Sequence, residues 1–593
     1  MPGIAVRVYS GAARNVPVLL VMPDLVIGSR RHGPPRTWRA AFFAALLVMG
    51  ALIVLWFIYR RSVSYDVPSG TPPRAPVVTE QPEPGSPPRL TYGDASLTWV
   101  GPIAVLRAAG DPHTIGAAQG RLLGARVAAS ARTFQSTIEY AVDQGGWFGG
   151  WTHDMRVAWR HRFVDDGIPE PLRRALAGVV RGTAAAGAPV GYDSLLRQQA
   201  ALDVGAPAPW TRERALRRLS RGLTLVIPQP GAVPGKVWVG RSFALPGIAD
   251  GGDAIAAMPV VSFVRPAGRK AWAAVGWPSL VGVVTGINED GLVVTVQPGQ
   301  AGDVRATRTA RPVAMLARDV LEKAGTLDEA VKLIAETPTL GAASFAILDG
   351  RTGRWVVVER SPTHSAVRRD PADGAVGDIM SASVFADDPE NDRATRVSPA
   401  PARLRRAARL TKTPPLDLAG AVEILRDDRG ADGADLPPGH RAAIADAASV
   451  QVVLIDPAAM TMWVSETGSA SGRLRGFDLR HELLGEGARP TPPPDLPAAD
   501  DADRDRDAAL RQARAALRDA RRALADDSPI RAAEHVARAL AWAPALPEAL
   551  ELAGRIARRR GDGDGARRFW ERWLAGGADD PAAEQEIRAI LGP

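Results

Sequence analysis

The residues of this sequence that could do chemistry are few, and two histidines come first. His153 and His161 are eight residues apart on a predicted helix, so they could share one face and ligate a metal. No carboxylate or third ligand stands at a supporting spacing, which favours ordinary surface histidines. The acidic stretch at residues 387–392 has the oxygen ligands of a cation site, but a solvated loop is the better interpretation. We therefore predict no metal site.

Several reaction classes are excluded by what the sequence lacks. Cysteine is absent, which rules out disulfides, thiolate metal sites and a thiol nucleophile. The sequence also contains no phosphate-binding loop, no dinucleotide fingerprint and no Gly-x-Ser-x-Gly elbow. We therefore predict no cofactor.

A series of short motifs runs through the middle of the chain. They are Gly110–Gly116 followed by Gly120, Tyr192–Leu196, Gly240–Phe243, Val281–Leu292, and the strand-turn-strand pattern Phe345–Pro362. In this order and spacing the set resembles the isopenicillin-N acyltransferase-like family of N-terminal-nucleophile hydrolases. The resemblance covers a domain that we place at residues 91–485.

The resemblance implies a fold of the α+β class, a four-layer αββα sandwich. The sequence is compatible with it, because several β-branched or aromatic runs are bounded by Gly or Pro, as strands are. These runs are Val237–Phe243, Lys270–Val275, Val281–Gly286 and Leu292–Val296.

The resemblance also implies a reaction. Members of the family cut their own chain before a cysteine, and the freed α-amine serves as base for the adjacent thiol, which attacks an amide or acyl carbonyl. The matching stretch here is Arg221–Val226, and Leu223 occupies the nucleophile position. Leucine has no proton to lose and no lone pair, so neither self-cleavage nor acyl transfer can begin from it.

Two further departures fall on the same centre. The family's acid is replaced by Ala244, and its Asn-His-Phe motif reads Ser383-Val384-Phe385, whereas Arg241 and Asn288 are retained. This pattern predicts a retained fold that has lost its chemistry. The alternative is a shifted start in which Thr224 or Ser220 supplies a hydroxyl nucleophile, with Arg241 and Asn288 in the active site.

One segment is apolar enough to lie in a membrane. Ala40–Tyr59 contains twenty residues without a charge, and such a helix is about 30 Å long, the thickness of the hydrocarbon core. We predict a transmembrane helix at residues 39–60 after an N-terminal tail at 1–38. Arginines are slightly more frequent before the span than after it. This favours a single-pass protein of the inner, cytoplasmic membrane with its body exported.

Composition divides the rest of the chain. A Pro-rich linker is predicted at 61–90 and a Pro/Asp-rich linker at 486–506. Residues 507–593 consist mostly of helix formers, and Ala532 and Ala566 lie 34 residues apart in equivalent contexts. This period resembles the tetratricopeptide repeat (TPR), with a plain helical array as the alternative.

The net charge of +8 comes from arginines scattered among acidic residues, so we predict no nucleic-acid partner. The resulting hypothesis is a membrane-anchored binding or scaffold module with an inactive acyltransferase-like domain. Its predicted partners are the membrane, a protein bound by the C-terminal repeats, and a small acyl or peptide-like ligand. The alternative is an active amide hydrolase or acyltransferase that uses Thr224 or Ser220.

Overall fold

The structure of the protein is a computed structural model. It describes residues 36–68, 77–83, 85–142, 155, 158–159, 162–203, 221–229, 236–245, 252–299, 301, 309–370, 380–381, 390, 400–411, 417–446, 448–485 and 491–592. Ser220, His153, His161 and Ser383–Phe385 lie outside these residues, as does the acidic stretch except for Glu390. The chain divides into two compact units, Met1–Ser62 and Val63–Pro593, which are described separately below.

The first unit is built on one long helix, α1 (Arg36–Val63). Its segment Ala41–Val63 has a mean hydropathy of 2.7 and, alone among the described helices, is long and apolar enough to cross a membrane. The helix extends three residues into the predicted Pro-rich linker. An apolar helix near an N-terminus is a property of both a membrane span and a signal sequence.

The described residues of the second unit form two β-sheets. The larger has eleven strands in the order β1-β2-β3-β4-β7-β8-β9-β10-β11-β12-β13, and the smaller has six in the order β14-β5-β6-β15-β16-β17. The strands of the larger sheet are β1 (Thr79–Glu83), β2 (Ser86–Tyr92), β3 (Ala95–Val100), β4 (Ile103–Gly110), β7 (Val260–Pro266), β8 (Trp272–Gly276), β9 (Thr285–Asn288), β10 (Leu292–Gly299), β11 (Ala342–Asp349), β12 (Trp355–Arg360) and β13 (Ser365–Arg369). Those of the smaller sheet are β5 (Arg221–Pro228), β6 (Val237–Ala244), β14 (Met380–Ser381), β15 (Ser449–Asp456), β16 (Thr461–Ser465) and β17 (Leu474–Asp478). All neighbouring strands are antiparallel except β4 and β7, which run parallel.

Helices make up the rest of the regular structure in this unit. In the body they are α2 (Pro112–Val142), α3 (Glu170–Ala185), α4 (Tyr192–Gln199), α5 (Gly252–Ala256), α6 (Val313–Lys323), α7 (Leu327–Glu336), α8 (Ala400–Thr411) and α9 (Leu418–Arg426). At the C-terminus they are α10 (Asp501–Ala525), α11 (Pro529–Trp542), α12 (Pro547–Arg559), α13 (Gly563–Ala575) and α14 (Pro581–Leu591). This mixture of helices and antiparallel strands is that of the α+β class.

The two sheets pack against each other through their inner faces. One apolar cluster contains Val105, Val293 and Val357 from the larger sheet together with Val226 and Val453 from the smaller. Because side chains alternate along a strand, the neighbouring residues point outward and are covered by helices.

The outer faces of both sheets carry helices. On the larger sheet, Leu106 and Val294 share a cluster with residues of α2, α3, α4, α6 and α7. On the smaller sheet, Leu225 and Leu454 share a cluster with residues of α8 and α9.

Helices α2 and α3 cross with almost no space between their backbones. A Cβ atom added to Gly116 would lie 2.0 Å from the carbonyl oxygen of Ala175, and one added to Gly182 would lie 2.3 Å from that of Ala117. Gly120 and Gly178 are as close to the opposite backbone. The small-xxx-small spacing of the glycines on each helix is what permits this approach.

Two of the predicted linkers contain more regular structure than expected. The Pro-rich segment overlaps β1 and β2, and its Pro82 lies at a bulge in the edge strand β1, where the missing N–H costs no ladder bond. In the Pro/Asp-rich segment, Leu496 pairs with Leu474 and α10 already begins at Asp501. Prolines and acidic residues therefore do not exclude pairing at a sheet edge or an early helix start.

One predicted strand is shorter than expected. Of the run Val281–Gly286, only the end belongs to β9. The Gln199 side chain explains the difference, because its Oε1 accepts the N–H groups of Val281 at 2.9 Å and Gly282 at 3.0 Å. These groups are thereby paired with a side chain instead of a neighbouring strand.

The C-terminal helices have two buried tryptophans in their core. Trp570 is 2% exposed and Trp573 is 1% exposed. Trp570 fits because Gly554 has no side chain: an added Cβ would lie 2.2 Å from its Nε1. The Nε1 of Trp573 donates to Asp579 at 3.2 Å.

Candidate functional site

Strand β5 places Leu223 and Thr224 on opposite faces of the smaller sheet. Leu223 is 1% exposed and belongs to the outer apolar cluster, with Ala407 of α8 and Leu425 of α9. Thr224 faces the larger sheet. The residue at the predicted nucleophile position is therefore part of a core between the sheet and its covering helices.

The Thr224 hydroxyl lies in a buried polar cluster between the sheets. Its Oγ1 is 2.9 Å from Oγ1 of Thr295 on β10 and accepts a hydrogen bond from Nη1 of Arg241 on β6 at 3.1 Å. Only 2% of Thr224 is exposed. This hydroxyl is therefore inaccessible and already hydrogen-bonded.

Arg241 is the charged member of this polar cluster. Its Nη1 donates to Oε1 of Gln297 at 2.9 Å, and its Nη2 donates to the carbonyl oxygen of Val296 at 2.6 Å. Burial lowers the pKa of the guanidinium to about 9. Among the described residues, no carboxylate lies within ion-pair distance of Arg241.

Gln297 and Thr295 are site residues that the sequence reasoning missed. A Cβ added to Gly222 would lie 2.4 Å from Oε1 of Gln297, so the amide packs against the glycine that precedes Leu223. The available signal was the pattern of β10, where two polar residues at alternate positions interrupt an apolar run. Both side chains point to the inner face.

The position predicted for the acid is occupied by Ala244, whose side chain is a single methyl group. Ala244 ends β6, is fully buried, and pairs with Arg221 and Ser449. On the outer face beside it, the hydroxyls of Ser242 and Ser449 are 2.7 Å apart. No acid–base pair is assembled from these residues.

Asn288 lies at the β9–β10 turn. Its Nδ2 donates to the carbonyl oxygens of Leu321 at 3.1 Å and Ala324 at 2.8 Å, and its Oδ1 accepts from the N–H groups of Asp290 and Leu292. All hydrogen-bonding positions of the amide are thus used to join the turn to the end of α6. The structure therefore brings Thr224 and Arg241 together but not Asn288.

Among the described residues, no group of three or more His, Asp or Glu side chains could hold a metal ion. Ser220, the two histidines and Ser383–Phe385 lie in segments that the structure leaves undescribed, so their predicted roles stay predictions.

Comparison with known proteins gives one family match. Residues 260–470 match the model of a family described as acyl-coenzyme A:6-aminopenicillanic acid acyl-transferase. The middle of the chain is acyltransferase-like. No curated protein matches the chain.

Two solved structures are similar to parts of the chain. One is an N-acylethanolamine-hydrolyzing acid amidase ortholog from Caenorhabditis elegans, with 15% identity, 40% of this chain and 92% of that chain covered, and a TM-score of 0.29. The other is a variant of conjugated bile acid hydrolase from Clostridium perfringens, with 12% identity and a TM-score of 0.25. That match covers 47% of this chain and 99% of the hydrolase chain.

The family match begins after β6. Leu223, Thr224 and Arg241 therefore lie outside the matched residues of the acyltransferase-like body, whereas Thr295 and Gln297 lie inside them. The buried polar cluster thus joins two strands from the unmatched part of the body to one strand from the matched part.

A cavity of about 1030 Å³ lies on the outer side of the smaller sheet. Its apolar lining comes from Leu410, Ile424, Leu425 and Val452, and the Ser242–Ser449 pair also lines it. Its rim carries charges that pair with one another, such as Arg506 with Asp428 at 2.9 Å and Arg426 with Glu423 at 2.8 Å. The arrangement combines an apolar floor with a largely neutralised rim.

Proposed function

We propose that this protein is a membrane-anchored pseudoenzyme, with the four-layer αββα body of an N-terminal-nucleophile hydrolase and a function in binding. The observation that carries the proposal is the burial of Leu223 at the nucleophile position. Its side chain has no reactive atom and packs under α8 and α9. The absence of an acid at Ala244 supports the same conclusion.

The alternative, an active amide hydrolase or acyltransferase, requires cleavage before Thr224 or Ser220. For Thr224, the new α-amine and hydroxyl would have to meet a substrate at a position that is 2% exposed. The hydroxyl would also have to break its contacts with Thr295 and Arg241. These requirements favour binding over catalysis.

The ligand that fits this proposal is small, uncharged and partly apolar. Binding sites are concave and combine an apolar lining with placed polar groups, and the 1030 Å³ cavity combines an apolar floor with a serine pair and a rim of charged residues. Because its rim charges are paired, it offers little attraction to a charged ligand. We therefore propose a neutral acyl amide or peptide-like ligand in this cavity.

The chain is expected to remain whole. Purified protein should give one intact mass and one band on a denaturing gel, because no nucleophile is available to cut before residue 223 or 224. Thr224→Ala should give the same result. Two pieces divided near residue 223, with the cleavage abolished in Thr224→Ala or Ser220→Ala, would contradict the pseudoenzyme proposal.

Leu223→Cys provides a sharper form of this test, since it gives the chain its only thiol. The thiol should react with a thiol reagent only after denaturation, whereas Ser365→Cys, at an exposed position, should react in the native state.

An intact chain whose melting temperature does not change with a neutral N-acyl amide would favour a structural scaffold instead of a binding protein.

We propose that α1 is the membrane anchor and that the body lies on the exported side. Four arginines precede the apolar core of the helix at residues 30–39, and fewer follow it closely. A periplasmic-only reporter fused after Pro593 should be active and a cytoplasm-only reporter inactive. The reverse pattern would show the opposite orientation.

We also propose that the C-terminal helices form TPR-like repeats that bind a protein partner. The surface available for this includes Ile530 and Trp542 of α11, which are 64% and 55% exposed. These two side chains lie near opposite ends of the helix, about 18 Å apart along its axis, and each offers exposed apolar surface to a partner.

A further inference from the structure

A short loop of the body, Pro437–Arg441, lies against the C-terminal helices. Arg441 is at its end, with only 8% of its side chain exposed. Its Nε is 3.2 Å from Oδ2 of Asp579, its Nη1 is 3.1 Å from Oδ2 of Asp580, and its Nη2 is 4.0 Å from Oε1 of Glu548. A cation of the body is thus enclosed by three carboxylates of the C-terminal helices and their connections.

The charges in this contact are matched. Burial alone would lower the pKa of the Arg441 guanidinium, but the carboxylates of Asp579, Glu548 and Asp580 raise it well above its usual value. A buried charge is tolerated when it is paired and hydrogen-bonded, and removal of one partner is strongly unfavourable. Arg441 therefore depends on the C-terminal helices for its environment.

His440 adds a neutral contact next to this cation. Its Nε2 is 2.9 Å from the carbonyl oxygen of Gly577, and its Nδ1 accepts the N–H of Ala442 at 3.1 Å. This pair of bonds assigns the proton to Nε2. Burial lowers the pKa of the imidazole, which agrees with a neutral ring.

The loop also packs closely on apolar residues of the helices. Gly439 has a φ of +77°, and a Cβ added to it would lie 2.8 Å from Leu546 and 3.1 Å from Leu510. Pro437 lies beside Gly576 in the same way. The contact thus combines shape, a hydrogen bond and a buried cation, as a specific interface does.

We propose that the C-terminal helices are a binding module whose ligand is this loop of the same chain. The face that carries Glu548, Asp579 and Asp580 recognises an arginine-containing turn, and in this protein Arg441 occupies it. A separate partner must therefore use another face of the helices or displace the loop.

This docking has a consequence for the cavity. Helix α10 supplies Asp503, Arg506, Asp507 and Leu510 to its lining, opposite residues of the body. The hydroxyl of Ser471 donates to Asp507 at 2.6 Å across the boundary. Holding the helices through Arg441 therefore fixes one wall of the cavity.

The test uses the full chain in detergent with a protease site inserted between Gly487 and Ala488. After cleavage, the C-terminal fragment that begins at Ala488 and carries helices α10–α14, here called the C-terminal tail, should co-elute with the body in size-exclusion chromatography. The docking contacts are non-covalent and stay intact when the chain is cut. In Arg441→Glu, which places a fourth carboxylate among three, the tail should bind the body at least about 100-fold more weakly. Arg429→Glu is the matched control, since Arg429 is 58% exposed, and it should behave like the parent.

The double variant Asp579→Asn/Asp580→Asn makes the same test from the tail side. It should also release the tail, whether or not Arg441→Glu folds. The Leu474–Leu496 pairing contributes to retention in every variant, so the comparison is made at equal protein concentration. Dissociation of the parent fragments, or retention in both variants equal to that of the parent, would overturn the proposal.

Discussion

Gly182→Val is expected to lower the free energy of unfolding of the body by at least about 3 kcal/mol. A Cβ at this position would lie 2.3 Å from the Ala117 carbonyl oxygen and 2.6 Å from the Arg121 nitrogen, both of them backbone atoms that cannot rotate away. The two helices would have to separate, and the side chains that pack around the crossing would lose contact. Thermal or denaturant unfolding of the purified variant measures the effect.

Ala184→Val is the control for this prediction. Ala184 lies on the same helix but is exposed, so the substitution reports only the lower helix propensity of valine, about 0.5 kcal/mol. Equal stability of the Gly182 and Ala184 variants would show that the helices are not in close contact at Gly182.

Asn288→Leu is expected to cost about 4 kcal/mol of unfolding free energy or more. The substitution leaves two buried carbonyl oxygens, on Leu321 and Ala324, and the N–H groups of Asp290 and Leu292 without the partner that Asn288 supplies. Each buried polar group left unsatisfied costs about 1–3 kcal/mol, partly relieved by relaxation of the turn. Chemical denaturation of the variant and its parent gives the difference.

Asp290→Asn is the matched control in the same turn. It weakens only the partly exposed ion pair with Lys270, for which a loss of about 1 kcal/mol or less is expected. If Asn288→Leu were as stable as this control, Asn288 would not have the turn-bracing role, and a role in an active site would become the better interpretation.

The sequence was sufficient for some features of the body because they depend on local patterns. The run Val237–Phe243 lies within β6, and Leu292–Val296 lies within β10, since β-branched residues between Gly and Pro favour strands. The buried position of Leu223 in an alternating apolar run follows from the same kind of pattern.

Other features depend on contacts between distant residues. No local pattern shows that Gln297 lies against Gly222, because these two residues meet only when the two sheets are stacked. Nor does a local pattern show that Arg241 donates to Thr224, because that contact requires β5 to pair with β6. The contacts of Asn288 also depend on distant residues, since its four hydrogen bonds to backbone groups join the β9–β10 turn to the end of α6. Its role in an active site stays a prediction.

The contact of Arg441 with the C-terminal helices also cannot be predicted from sequence patterns. More than one hundred residues of sequence separate Arg441 from the carboxylates that surround it. Nothing in the composition of the loop indicates that it packs against the C-terminal helices. The arginines looked uniformly scattered. Only burial distinguishes Arg441 from an exposed one such as Arg429.

The single parallel pair in the larger sheet bears on the order in which the chain folds. Strand β4 finds its neighbour β7 only after residues 111–259, which include helices α2 and α3 and two strands of the other sheet, have been synthesised. Contacts of such high sequence separation form slowly, because loop-closure entropy is lost before they stabilise the chain. We therefore expect the first four strands to form an isolated meander before β7 is available, and closure of the larger sheet to be a late and rate-limiting step in folding.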